Sequence, residues 1–176
     1  MRVWRICPRR FVADALDGSG GMHVSGRWHH RGNPVVYTAS YASLAVLEVL
    51  VHVEPHCAPA DLQLMTIELP DDITVESVDA GALPKDWRSV PAPDSLRAIG
   101  TSWLRSGRSA VLSVPSAIIE SERNLLLNPQ HPDLRRARMV EAVPFSFDPR
   151  LLGAASGTVA KSGRKSGAGR GGRRGD

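Results

Sequence analysis

Cysteine is almost absent from this chain, with two in 176 residues. Cys7 and Cys57 are too few for a disulfide framework, and neither has the neighbours of a zinc site. Long apolar runs are missing too: no stretch approaches the roughly 18 residues that a membrane-crossing helix needs. The opening MRVWRICPRR lacks the apolar core of a secretory leader. A reducing cytoplasm is therefore the expected compartment, and no membrane partner is expected. Aromatic residues make up only 5%. The one glycine run, Gly18-Ser19-Gly20-Gly21, lacks both the Lys-Ser/Thr end of a P-loop and the third glycine of a dinucleotide fingerprint. It is read as a flexible loop or as backbone that approaches a ligand closely.

The net charge of +4 is unevenly placed. Six of the 22 basic residues lie between Gly153 and Asp176, against one of the 18 acidic ones, and so do half of the 16 glycines. This segment cannot bury enough apolar surface to offset its ordering entropy, so 153–176 is expected to be a disordered tail. It would be solvated or would contact nucleic acid, and a nucleic-acid-binding module built on it is the reading from a different class. The body, 1–152, has no excess of positive charge, and direct nucleic-acid binding is not expected of it. It is long enough for one domain with a sizeable core.

Strand-like segments run over Val3–Ile6, Pro34–Thr38, Leu62–Leu69, Ile73–Val78 and Ala110–Val114, and over Arg138–Phe147, where Pro144 favours an edge or a bulge. Pro70-Asp71-Asp72 reads as the turn between the third and fourth of these. Phe11, Ala15 and Leu16 suit a short helix. Leu96, Ile99, Trp103 and Leu104 suit another, starting near Asp94 as its N-cap. The strongest helix follows Ser40, a potential N-cap, and is apolar nearly all round. With strands dominant and no regular alternation of strand and helix, the expected class is α+β around a mixed or mainly antiparallel sheet.

Inside that apolar helix stands one acid, Glu48. An unpaired buried carboxylate is costly, so either a structural Arg partner or a function must account for it. His23, His29 and His30 sit close together, but no ligating acid is near and adjacent histidines on extended chain diverge, so no metal site is expected. As bare features, Tyr37 is a core residue of a Val-Val-Tyr strand, and Ser116 caps a turn after Pro115. No Gly-x-Ser-x-Gly elbow surrounds Ser116.

Five fragments in order nevertheless form a pattern: Gly26-Arg27-Trp28, Val35 to Ala39, Leu44 to Glu48, Val114-Pro115-Ser116, and Asn128 to Pro132. Together they resemble the RES domain, named for an Arg, a Glu and a Ser, from about Trp4 to about Phe147. His29 departs from the pattern, which often has Asn there. The resemblance implies a toxin of a toxin–antitoxin pair with an ADP-ribosyltransferase-like fold. It implies NAD+ as substrate rather than as resident cofactor, consumed by hydrolysis or phosphorolysis, or by transfer of ADP-ribose to a protein acceptor. The implied partner is an antitoxin with an Xre-type helix-turn-helix.

Read onto that chemistry, Glu48 would face the ribose and stabilise its developing positive charge. Arg27 would clamp the pyrophosphate, or pair with Glu48 in the empty protein. Tyr37 would stack on nicotinamide, and Ser116 would bond a ribose or the carboxamide. Trp28 and Asn128 would add substrate contacts, Asn128 together with His131 more as a loop former. A toxin acting on RNA is a further reading, supported only by the paired histidines.

Overall fold

The structure, a computed structural model, describes residues 1–54 and 59–152. The tail expected to be disordered, and Cys57, lie outside the described residues. Strand β1 (Arg2–Pro8) is longer than its apolar core Val3–Ile6 because it is paired on both sides. It meets β2 (Val36–Ala39) and the full length of β3 (Leu62–Glu68), both antiparallel. With β4 (Val75–Ser77), β5 (Val111–Pro115), β6 (Arg123–Leu127) and β7 (Arg138–Phe145) these make one seven-stranded sheet, in the order β4-β5-β6-β2-β1-β3-β7. Every pairing is antiparallel except β4 on β5, so the sheet is mixed and the class is α+β in one domain.

β3 and β4 do not pair across Pro70-Asp71-Asp72. The turn is present, with the Ile73 N–H on the Pro70 carbonyl, but the chain then crosses towards the far edge of the sheet. β6 is the strand that periodicity does not reveal, since Leu125-Leu126-Leu127 is a continuous apolar run without alternation. It lies between β5 and β2, buried on both faces. β7 forms the other edge and ends near Pro144, with a register shift where it passes Thr66 and Ile67. Edge position is what a proline in a strand requires; the register shift falls at Val140, away from Pro144, which stands opposite Gln63.

The two faces hold different cores. Val3, Val36, Ile67, Val111, Leu125 and Leu127 pack on one side. On the other, helix α3 (Asp94–Ser106) lays Leu96, Trp103 and Leu104 on Leu112, Val114 and Leu126, with Trp28 and Val35 in the same cluster. Helix α2 (Ala42–Leu50) covers the same face further along, where Leu44 and Ala45 meet Ile6 and Ala39. α3 closes on Gly107 in the left-handed region at φ 58°, its N–H on the Trp103 carbonyl.

Both helix starts differ from expectation. Tyr41, not Ser40, is the residue before α2, because the Ser40 hydroxyl donates instead to the Arg123 carbonyl at 2.7 Å. Asp94 is the first residue of α3, not its cap, and its carboxylate is taken by His30 and Arg97. In place of a helix through Phe11, Ala15 and Leu16 there is a single 3-10 turn at Arg9–Phe11. The glycine run carries a four-residue helix, α1 (Gly20–His23).

Candidate active site

Glu48 lies in the last turns of α2, half-buried, and looks onto the ends of β5 and β6. β5 brings Ser116, fully buried, whose hydroxyl donates to the Glu48 Oε1 at 2.9 Å. The antiparallel register sets Val114 opposite Asn124, so Asn124 points to the same face, and its amide donates to the same Oε1. Two donors thus hold one carboxylate oxygen, which offsets the cost of placing an acid inside an apolar helix. The Ser116 hydroxyl also accepts the N–H groups of Ile118 and Ile119, at 3.1 and 3.2 Å. It therefore both caps the turn and ties down Glu48. The sequence expectation overlooked Asn124, because β6 itself was not legible.

Arg27 approaches from the irregular segment before β2. It makes no ion pair with Glu48. Its guanidinium donates instead to the carbonyls of Trp87 and Ser89, at 2.7 and 3.2 Å. Burial pulls Arg27 below the usual arginine value, while the negative charge of Glu48 acts the other way, so the two groups share one electrostatic neighbourhood. Arg88 and Arg97 add positive charge around Arg27. Arg88 is paired with Glu120, and Arg97 reaches both the Gly26 carbonyl and Asp94.

Tyr37 lies on β2 beneath this segment. Its hydroxyl accepts the Trp28 N–H at 3.2 Å and sits 2.9 Å from His29 Nδ1. Burial pushes its phenol well above the ordinary tyrosine range, so it is a neutral hydrogen-bonding group. The structure therefore brings together Arg27, Tyr37, Glu48 and Ser116. Two other candidate contact residues are buried. Trp28 is 2% exposed and packed among Leu96, Trp103 and Leu104, so its ring holds the Arg27 segment to α3 and is not open to a ligand. Asn128 is also 2% exposed, and its amide donates to the Leu104 carbonyl while its oxygen accepts the Gln130 N–H. It shapes the loop at the opposite end of β6 from Asn124.

No group of three or more His, Cys, Asp or Glu among the described residues could hold a metal ion. His30 is taken by Thr101 and Asp94. A surface depression of about 640 Å³ lies elsewhere, lined by Glu68, Asp71, Arg135, Arg136 and Arg138. Its charges are largely used in pairs such as Arg136 with Asp72 and the N-terminus with Asp71. Volume alone does not mark a site, and the acids here are exposed and paired with cations. No helix among the described residues is long and apolar enough to cross a membrane.

A mixed sheet whose helix-borne acid is braced by strand-end donors, with an arginine in the same electrostatic neighbourhood, defines an α+β protein with one candidate site. The comparisons narrow the class. The family model for the RES domain matches residues 2–148, and the chain belongs to the RES-domain toxin family. It is 40% identical over 152 residues to the protein named Toxin Res of Yersinia enterocolitica, covering 86% of this chain and 99% of that one. It is 38% identical over 153 residues to a protein of a Sphingobium species named Prs ADP-ribosylating toxin, covering 85% and 95%. Among solved structures, a chain of the M. tuberculosis MbcT–MbcA toxin–antitoxin complex superposes with a TM-score of 0.68 over 87% of each chain, at 19% identity. That likeness is one of fold.

Proposed function

We propose that this protein is a toxin that consumes NAD+ by breaking its nicotinamide–ribose bond. The observation that carries the proposal is the Glu48 carboxylate, fixed through one oxygen by Ser116 and Asn124 and lying in the field of Arg27. In the reaction the C1′–N bond breaks, its electron pair leaves with neutral nicotinamide, and positive charge develops on the ribose. Little proton donation is needed. What lowers the barrier is negative charge fixed beforehand beside the ribose, together with a firm grip on the rest of the molecule. Glu48 supplies the charge, and its second oxygen is available to a ribose hydroxyl. Arg27 supplies the grip, since a guanidinium fork matches pyrophosphate oxygens. It would exchange two backbone carbonyls for a stronger, charged acceptor.

The remaining cation at C1′ is taken by water or phosphate in the first form of this reading. Transfer of ADP-ribose to a protein acceptor is the second form, favoured by the name of the 38% identical relative. A cognate antitoxin of the Xre helix-turn-helix type is the proposed partner, in keeping with the toxin–antitoxin complex that shares the fold. The toxin would act in the cytoplasm, with NAD+ as substrate and no resident cofactor. The basic tail would be dispensable for chemistry. The test is nicotinamide release from NAD+ by the purified chain, with phosphate and with candidate protein acceptors in parallel. Stoichiometric release is expected under at least one condition, and none under any would refute the proposal.

A further inference from the structure

His29 stands two residues beyond Arg27 and is 3% exposed, yet the chemistry above makes no use of it. Its two ring nitrogens have unlike neighbours. Nε2 lies 3.1 Å from the Val24 carbonyl, which can only accept, so Nε2 carries the proton. Nδ1 is then the acceptor. It receives the Gly26 N–H at 3.2 Å and the Tyr37 hydroxyl at 2.9 Å. The Tyr37 oxygen in turn accepts the Trp28 N–H, and the Gly26 N–H also reaches the His29 carbonyl at 3.1 Å. One imidazole therefore fixes the backbone on both sides of Arg27, within a segment that has no helix or strand of its own. The fit is close: a Cβ added at Gly26 would lie 2.6 Å from the Tyr37 hydroxyl and 2.8 Å from the imidazole.

We propose that His29, neutral and protonated on Nε2, is a positioning residue that sets the backbone of Arg27 and so aims its guanidinium at the anionic part of the substrate. The proposal rests on the NAD+ reading for the identity of that anion. A second proton on the ring would turn Nδ1 from acceptor to donor, facing the Gly26 N–H head on. The groups around the ring offer no relief. Tyr37 faces it from β2, Arg97 reaches the Gly26 carbonyl from α3 at 3.3 Å, and His30 and Arg27 flank it on its own segment. Among the described residues no carboxylate bonds to the ring, because the nearby Asp94 is held by His30 and Arg97. Burial, and to a lesser degree His30, hold the imidazole below the ordinary histidine value of 6.5, against the pull of the Val24 carbonyl.

The test uses the full chain, with nicotinamide release followed against pH and NAD+ concentration. The variants are His29→Asn, which keeps an acceptor oxygen where Nδ1 was but gains no proton, together with His29→Ala, Arg27→Ala and the double alanine variant. His29→Ala should raise KM for NAD+ about tenfold or more while kcat falls less. His29→Asn should restore KM to near wild type and remove the acid limb of the kcat/KM profile. On the Arg27→Ala background, His29→Ala should add nothing, because the pair act as one unit. Additive losses, or an acid limb unchanged in His29→Asn, would overturn the proposal. Nitrogen-15 imidazole spectra give a readout free of turnover: the Nε2–H tautomer at pH 7 is expected, and the Nδ1–H tautomer would contradict it. A wild-type chain that released no nicotinamide would remove the NAD+ reading, and the tautomer would then decide the fate of His29.

Discussion

Glu48 and Arg27 are held by different kinds of structure. Glu48 sits in a regular helix, and its two donors come from the ends of adjacent strands whose register is fixed by the buried faces of the sheet. Arg27 sits on irregular chain, whose position depends on the Tyr37 hydroxyl, the His29 ring and the buried wedge of Trp28. The acid is thus placed by the fold itself, and the cation by a handful of side chain-to-backbone bonds. On the proposed reading, Glu48 would oppose a short-lived positive charge and would gain from a rigid mount, because its alignment is fixed before the reaction starts. The Arg27 guanidinium, on the same proposed reading, would take up and release a substrate by leaving its two carbonyl partners, without disturbing the sheet.

The largest effect should come from the rigid half. Glu48→Gln keeps the shape and both donors' reach but removes the charge. It should fold, lower nicotinamide release by about 100-fold or more, and abolish growth inhibition. A toxic Glu48→Gln variant would take Glu48 out of the mechanism.

Next comes the junction between the two halves. Gly100 on α3 abuts the loop, and an added Cβ would lie 1.8 Å from the Trp28 carbonyl oxygen. Alanine at an ordinary helix position gains about 1 kcal/mol over glycine. Here Gly100→Ala should instead cost about 2–3 kcal/mol of stability by forcing α3 and the Arg27 segment apart. Urea unfolding would show it, and a stabilised variant would mean that the close approach is absent.

A smaller effect is expected of Asn124→Ala, which leaves Glu48 with Ser116 alone. Turnover should fall about tenfold, with stability reduced by about 1 kcal/mol. An unchanged kcat would show that one donor suffices to mount the acid. The smallest effect sharpens the comparison by pH. Below 6.5 an unfolded chain binds a proton that the buried His29 resists, so native stability should decline as pH falls from there towards the native value of the ring and then cease to change on its account. His29→Asn should lack this component in denaturant midpoints measured across that window.

The two halves also differed in how far the sequence disclosed them. Arg27, Glu48, Tyr37 and Ser116 could be singled out because each lies in a short fragment with recognisable neighbours, and the structure bonds Ser116 to Glu48 and sets Arg27 and Tyr37 in the same electrostatic neighbourhood. Asn124 was not legible. It opens onto the unbroken apolar run Leu125 to Leu127, which periodicity cannot tell from a piece of buried helix, and its side chain acquires meaning only through the pairing of β5 with β6. Ser40 looks like a helix cap in sequence, but a longer-range acceptor, the Arg123 carbonyl, takes its hydroxyl. Trp28 stands next to Arg27 and yet belongs to the core, because in irregular chain neighbouring side chains have no fixed period to assign them to a face. His29 drew attention as one of three histidines, whereas its ring partners are a tyrosine and two backbone groups. Tertiary hydrogen bonds of this kind leave no local trace.

The division of labour between grip and charge can be tested by titrating NAD+ calorimetrically into Glu48→Gln and into Glu48→Gln carrying Arg27→Ala. Neither protein is expected to turn the ligand over during the measurement. The first should bind NAD+ with an affinity close to the wild-type KM, and the second should bind at least tenfold more weakly. Equal affinities in the two proteins would contradict the assignment of Arg27 as the residue that holds the substrate.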